Sequence, residues 1–99
     1  MAKKDLDWAN IGFGYRTTEF RYVANFKDGQ WQEGFLTEDA NVTVNECAGI
    51  LQYCQEVFEG LKAYRTEDGH IVTFRPDLNA ERMVDSAKRL QMPPFPVER

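Results

Sequence analysis

The residue types that usually carry out catalysis occur in this sequence without a catalytic spacing. There is no Gly-x-Gly-x-x-Gly dinucleotide fingerprint, no phosphate loop of the Gly-Lys-Ser type and no serine in a nucleophile elbow. Carboxylates are plentiful, but their spacing does not mark a catalytic pair. His70 is the single histidine and there is no Cys-x-x-Cys, so we expect no metal site. These residues alone predict only a soluble α+β domain.

The two cysteines lie in a segment whose secondary structure is ambiguous. Apolar residues at helical spacing favour a short helix within Glu46–Phe58, with Asn45 as a candidate cap and Gly60 as the break. Cys47 and Cys54 lie seven positions apart, which on a helix is two turns, the wrong distance for a disulfide. Two cysteines also fit a reducing compartment. We expect both to be small buried hydrophobic residues.

Two hairpins and one helix are predicted around that segment. Aromatic and polar residues alternate over 20–27, and Asp28-Gly29 is a strong turn signal after which Trp31 begins a return strand. A second hairpin is predicted from strands at 61–64 and 71–74 joined by Asp68-Gly69. Val42–Val44 is a possible further short strand. The sequence thus predicts an α+β fold with antiparallel β-hairpins and a C-terminal amphipathic helix.

The C-terminal helix has the strongest signals in the chain. Pro76 suits a first helical turn, Asp77 complements the positive end of the helix dipole, and Lys88 and Arg89 complement the negative end. One apolar face is formed by Ala80, Met83, Val84, Ala87 and Leu90. The pair Pro93-Pro94 is expected to stop the helix. We divide the chain into a polar leader (1–11), a small domain (12–92) and a Pro-rich connecting tail (93–99).

Composition and charge bound the function further. At 99 residues the chain is at most one small domain, and 42% hydrophobic with 13% aromatic residues is typical of a globular protein. A net charge of −4 with scattered basic residues argues against nucleic acid as a partner. No apolar run approaches the ~18 residues of a membrane span, and no apolar stretch follows Lys3-Lys4 as in a secretory signal. We expect a cytoplasmic protein with no membrane partner.

The run from Tyr53 to Met92 resembles one enzyme family. Its segments FEGLKAYR, FRP, NAERM and SAKRL occur in the order and spacing of the small N-terminal domain of branched-chain amino acid aminotransferases, which are class IV, pyridoxal-phosphate-dependent enzymes. The preceding DLDWANIGFGYRTTEFRYVANFKDGQW looks like the N-terminal strands of the family's larger-subunit type. The resemblance begins at about Asp5. The chain ends at Arg99, before the large domain in which the family has its Schiff-base lysine, so we expect part of an enzyme, inactive alone.

The resemblance implies an activity and its partners. In the family, leucine, isoleucine or valine gives its amino group to pyridoxal 5'-phosphate, and 2-oxoglutarate then accepts it to form glutamate. The cofactor is the electron sink, and the protein orients it. Family members are homodimers whose pocket draws on both subunits. The open surface of this small domain predicts self-association when the chain is alone.

The resemblance also assigns the site residues. Arg82 matches the family's phosphate-binding arginine, where a permanently charged, fork-shaped donor suits a dianionic phosphate. Phe13, Tyr53 and Phe58 match aromatic residues of the substrate pocket, where they would bury an aliphatic side chain. Ordinary core packing is the alternative for these three rings. No catalytic residue is assigned within the chain.

Three further residues of the family wording are assigned other roles. Lys62 is expected to be a strand lysine that reaches solvent along its aliphatic stem, because no lysine of the chain matches the Schiff-base segment. Glu59 and Arg75 are expected to be structural, as an ion pair or as turn support. Two alternatives stay open for the chain: a related class IV enzyme (D-amino acid aminotransferase or aminodeoxychorismate lyase), or a standalone binding or assembly domain.

Overall fold

The computed structural model describes residues 6–99 as three short antiparallel strand pairs, a 3₁₀ turn and two helices. The α+β fold with hairpins and a C-terminal helix is confirmed. The 3₁₀ turn is Trp8–Asn10, and the elements after it are β1 (Arg21–Val23), β2 (Phe26–Lys27), β3 (Gln30–Trp31), β4 (Phe35–Thr37), α1 (Gly49–Tyr53), β5 (Ala63–Arg65), β6 (Ile71–Thr73) and α2 (Pro76–Arg89).

The first hairpin forms around the predicted Asp-Gly turn. Asp28 and Gly29 have φ of 53° and 77°, and two successive positive φ values match the right-handed twist of the flanking strands. β2 pairs with β3 beside the turn, and β1 pairs with β4 further out. The Gln32 amide donates to the Asn25 carbonyl at 2.8 Å, so the two ladders belong to one long hairpin.

The predicted strand at Val42–Val44 is wrong, and β4 takes the strand position instead. Side chains form hydrogen bonds with the backbone groups just before residue 42. The backbone amide of Asn41 donates to the Asp39 carboxylate at 2.9 Å. The Arg21 guanidinium donates to the carbonyls of Asp39 and Asn41. Short polar side chains that satisfy the local backbone compete with a strand ladder, so the segment stays irregular.

The segment around α1 differs from its prediction in three ways. Its helix spans only Gly49–Tyr53, and it ends at Cys54, whose φ is 52°, rather than at Gly60. Asn45 does not cap the helix; its side-chain oxygen accepts from the Cys47 amide at 2.8 Å in a turn before it. Cys47 and Cys54 are free and exposed, so their prediction as buried residues is wrong. Too little chain packs over this segment to cover them.

The second hairpin agrees with the sequence. β5 and β6 pair antiparallel, from Ala63 opposite Thr73 to Arg65 opposite Ile71. The Thr66 amide donates to the His70 carbonyl at 2.8 Å, and Gly69 has a φ of 90°, which only glycine adopts readily. The predicted Asp-Gly turn is confirmed.

Helix α2 begins at Pro76 as predicted and ends by a local motif. The Met92 amide donates to the Ala87 carbonyl at 2.8 Å and the Gln91 amide to the Lys88 carbonyl at 3.1 Å, with Gln91 at a φ of 56°. This is a Schellman motif. The helix therefore stops before the two prolines, which follow the motif rather than cause the stop. On the apolar face, Ala87 is 3% exposed and Ala80, Met83 and Val84 are partly covered, whereas Leu90 at the end of the face is 40% exposed.

The C-terminal tail packs on the first hairpin. The indole Nε1 of Trp31 donates to the Pro94 carbonyl at 2.8 Å. The Trp31 ring makes edge-to-face contacts with Phe26 and Phe95, at centroid distances of 5.3 and 5.0 Å. The domain boundaries at 11 and 92 stay a prediction.

Across residues 6–99, Ala87 is the one hydrophobic residue that is buried. Many large apolar side chains in this part of the chain are at least 40% exposed, among them Leu36, Leu51, Tyr64 and Phe74. No helix in this part of the chain is both long and apolar enough to cross a membrane.

Candidate functional site

Arg82 is held by a carboxylate from a distant part of the chain. Its Nε donates to Oε1 of Glu59 at 2.6 Å, and its Nη2 donates to Oε2 at 2.7 Å, a two-bond, side-on contact. Arg82 lies on α2, and Glu59 lies in the loop that leads into β5. The Glu59 side chain is only 14% exposed, whereas the Arg82 side chain is 64% exposed. The pair thus joins a covered acceptor to an accessible donor.

Asn79 completes this arrangement from the preceding turn of α2. Residues three apart lie on the same helix face, so Asn79 and Arg82 reach the same loop. The Nδ2 of Asn79 donates to Oε2 of Glu59 at 3.0 Å and to the Gly60 carbonyl at 2.8 Å. We call Glu59, Asn79 and Arg82 the Glu59 cluster. It fastens the first half of α2 to the loop before β5.

The charges in the cluster stabilise each other. The hydrogen bond from Arg82 lowers the pKa of Glu59 below its ordinary value, and the Asn79 amide adds to this. The same hydrogen bond to Glu59 raises the pKa of Arg82 above its ordinary value. Both groups are therefore ionised at neutral pH.

The guanidinium of Arg82 keeps donors for a second anion. Arginine carries five N–H groups, and Glu59 takes one on Nε and one on Nη2. Within the described chain, no other acceptor is recorded for Arg82. One N–H of Nη2 and both of Nη1 are available at the outer end of the group. That end can make the two-bond contact that arginine makes with phosphate.

The three predicted pocket residues are exposed. Tyr53 and Phe58 are 85% and 86% exposed, and Phe13 is fully exposed. Ring–ring contacts in residues 6–99 join Phe26, Trp31 and Phe95 and include none of the three. Core packing among residues 6–99 therefore does not account for the three rings. Their role in a substrate pocket stays a prediction.

The chain path places Phe58 beside the Glu59 cluster, as the residue next to Glu59. The Phe58 ring reaches over Gly60, where an added Cβ would meet its Cζ at 3.8 Å. Tyr53 is the last residue of α1, five positions earlier. Phe13 lies before β1, and no recorded contact joins it to the cluster within residues 6–99.

Lys62 is exposed, one residue before β5. Together with Trp8, Tyr64 and Glu67, it lines an open cleft of about 800 Å³. None of the four predicted site residues lines this cleft. In the described residues, no group of three or more His, Cys, Asp and Glu side chains could hold a metal ion.

Sequence reasoning missed two members of the cluster. Asn79 received no role, although its spacing from Arg82 on a helix was visible. Glu59 was expected to be structural, with Arg75 as a possible ion-pair partner. Instead Arg75 pairs with Asp77 at 2.8 Å, and Glu59 pairs with Arg82. No pattern in the sequence connects positions 59 and 82.

Comparison with known proteins supports the family resemblance. No family model matches the chain. It is 54% identical over 95 residues to a branched-chain-amino-acid aminotransferase of Haemophilus influenzae, which covers 96% of this chain and 28% of that protein. It is 44% identical over 90 residues to the Helicobacter pylori enzyme of the same name, covering 91% of this chain and 26% of that protein.

A third relative has a different name. A methionine aminotransferase of Arabidopsis thaliana is 46% identical over 90 residues, covering 90% of this chain and 25% of that protein. The chain thus spans about a quarter of the length of the curated relatives it matches. Over nearly its whole length, this chain is homologous to the branched-chain-amino-acid aminotransferases, and the family resemblance is confirmed.

Proposed function

We propose that this chain is the small domain of a branched-chain amino acid aminotransferase. The enzyme would transfer the amino group of leucine, isoleucine or valine to 2-oxoglutarate, forming glutamate, with pyridoxal 5'-phosphate as cofactor. The observation that carries the proposal is the 54% identity to the Haemophilus influenzae enzyme over 96% of the chain. We further propose a cytoplasmic homodimer.

Arg82 fits a phosphate ester. Such a ligand needs a permanently charged donor with an accessible end, and the remaining N–H groups on Nη1 and Nη2 of Arg82 offer one. Pyridoxal phosphate supplies the electron sink when it is bound. The task of Arg82 is to hold the phosphate and thereby fix the position of the rest of the cofactor.

The exposed rings would select the substrate. Phe13, Tyr53 and Phe58 present apolar area that nothing in residues 6–99 covers. Once the rest of the enzyme covers them, they would exclude water and bury an aliphatic side chain, at about 25 cal/mol per Å² of apolar surface. The Tyr53 hydroxyl could in addition donate to substrate or cofactor. None of the chain's lysines matches the cofactor-bonding segment, so we expect no transamination by this chain alone.

Methionine is a second candidate substrate. The relative named methionine aminotransferase is 46% identical to this chain. A flexible thioether is close in size and polarity to leucine. Aromatic walls that bind the substrate through dispersion would discriminate only weakly between leucine and methionine. Comparison of turnover with leucine and methionine decides between them.

The proposal is tested in a full-length chimera: the Haemophilus influenzae enzyme with its matching segment replaced by this chain. Arg82→Ala should lower the affinity of the apoenzyme for pyridoxal phosphate about 10- to 100-fold, because hydrogen bonds to a charged group are lost. Titration of the apoenzyme with pyridoxal phosphate, monitored through the absorbance of the cofactor, measures this affinity. Arg89→Ala, on the same helix, is the matched control and should change the affinity for pyridoxal phosphate little. Unaltered cofactor affinity in Arg82→Ala would refute the proposed role.

A further inference from the structure

We propose that Glu59 is the positioning residue for Arg82, with Asn79 as its support. The carboxylate would hold the Nε edge of the guanidinium so that the Nη end faces the cofactor phosphate. The inference rests on the proposed function, since it assumes that Arg82 binds the phosphate.

The two-bond contact fixes the orientation of the guanidinium. A single hydrogen bond would leave the plane of the group free to rotate, whereas bonds from Nε at 2.6 Å and Nη2 at 2.7 Å define it. A ligand that binds a long, rotamer-rich side chain loses part of its binding free energy when it has to order that side chain itself. Glu59 orders Arg82 before the ligand arrives.

Glu59 is itself fixed by its neighbours. Its side chain is 14% exposed, and a mostly covered carboxylate requires hydrogen-bond donors. Oε2 accepts from both Arg82 and Asn79. Asn79 uses its two amide hydrogens on Glu59 and on the Gly60 carbonyl, which ties the carboxylate to the adjacent backbone. The orientation of Arg82 is thereby set by the loop and by α2 together.

Positioning and simple charge competition predict opposite effects. A negative carboxylate beside a phosphate-binding arginine weakens the electrostatic attraction for phosphate. If that were its only effect, Glu59→Gln would strengthen cofactor binding. A positioning role predicts weaker binding, because a glutamine side chain has one acceptor oxygen and cannot accept both N–H groups side-on.

The test is a double-mutant cycle in the full-length chimera with two ligands, pyridoxal phosphate and pyridoxal, which lacks the phosphate. Glu59→Gln should weaken pyridoxal phosphate binding about 3- to 10-fold. It should leave pyridoxal binding unchanged. In the Arg82→Ala background, Glu59→Gln should have no further effect, because its partner is gone. Glu56→Gln, an exposed glutamate of the same segment, is the matched control.

Each other result overturns the inference in a distinguishable way. An equal loss of affinity for both ligands in Glu59→Gln would show that Glu59 has a general structural role. A variant that fails to fold would give this result too. Tighter phosphate binding would show charge competition. Unchanged binding in Glu59→Gln with loss in Arg82→Ala would refute the positioning role and leave the proposed function standing. Unchanged binding in Arg82→Ala would refute the proposed phosphate-binding role of Arg82, on which the inference rests.

Discussion

At the scale of single residues, the contact between Glu59 and Arg82 turns a surface arginine into a candidate anion site. A helical arginine that is 64% exposed is usually a solvated side chain. Here a carboxylate 23 residues earlier in the chain holds it on one edge. The other edge keeps its donors, so structure and ligand binding do not compete for the same N–H groups.

The Glu59 carboxylate should titrate below its ordinary pKa of 4.5, because the hydrogen bond from Arg82 stabilises its charged form. A lowered pKa in the folded state adds stability above the unfolded pKa, and this is lost as pH falls from 4.5 through the folded pKa. Carbon-13 NMR of labelled glutamates in the full-length chimera measures the midpoint. Arg82→Ala should raise it, with Glu56 as internal reference. An unchanged Glu59 midpoint in Arg82→Ala would contradict the assignment of Arg82 as the cause of the lowered pKa.

At the scale of elements, α2 is defined by local signals at both ends. Pro76 and Asp77 begin it, and a Schellman motif ends it with Gln91 in the left-handed region at a φ of 56°. A side chain at that φ is strained by contact between its Cβ and the backbone, and glycine avoids the strain. Gln91, two positions after the last residue of α2, therefore departs from the glycine that is preferred in this motif.

Gln91→Gly should stabilise the end of α2 by up to about 1 kcal/mol, because it removes the left-handed strain. Lys88→Gly is the matched control: the same new residue within the helix should cost about 1 kcal/mol. Hydrogen exchange of the α2 amides in the full-length chimera measures both as free energies of local opening. The explanation fails if both substitutions change protection in the same direction.

The first hairpin shows how an element acquires a tertiary partner. Its turn follows from Asp28-Gly29, but its Trp31 edge is covered by Phe95 and Pro94 of the tail. Arg99 adds a cation–π contact with Phe95 at 5.4 Å. The tail, predicted only as a connection, thus packs along this hairpin and has a defined direction.

At the scale of the whole molecule, apolar surface exceeds what the chain can cover. The buried set in residues 6–99 has a single hydrophobic member, Ala87, while Phe58 and Phe74 are almost fully exposed. Large exposed apolar patches are typical of surfaces that meet another protein part. The relatives are about four times longer than the region they share with this chain, in keeping with a surface covered by further enzyme.

The isolated chain should self-associate because its apolar surface is open to water. Sedimentation velocity over a range of concentrations should show species larger than the 11.5 kDa monomer. The full-length chimera, in which the surface is covered, is the control and should give one discrete species. A sharp monomer peak for the isolated chain at high concentration would contradict the expectation.

What the sequence determined by itself is local. Both Asp-Gly turns, the start of α2 and its apolar face follow from signals within a few residues, because turn and helix preferences depend on neighbouring backbone geometry. The family resemblance was equally visible, in the order of short segments.

The tertiary structure decided what depends on contacts distant in the chain. It paired Glu59 with Arg82 rather than with Arg75, placed Phe35–Thr37 opposite Arg21–Val23, and left Val42–Val44 irregular. It also left Cys47 and Cys54 exposed, since residue type cannot tell how much chain will pack over a side chain. Such outcomes depend on the path of the chain between the partners, and no periodicity or spacing records that path.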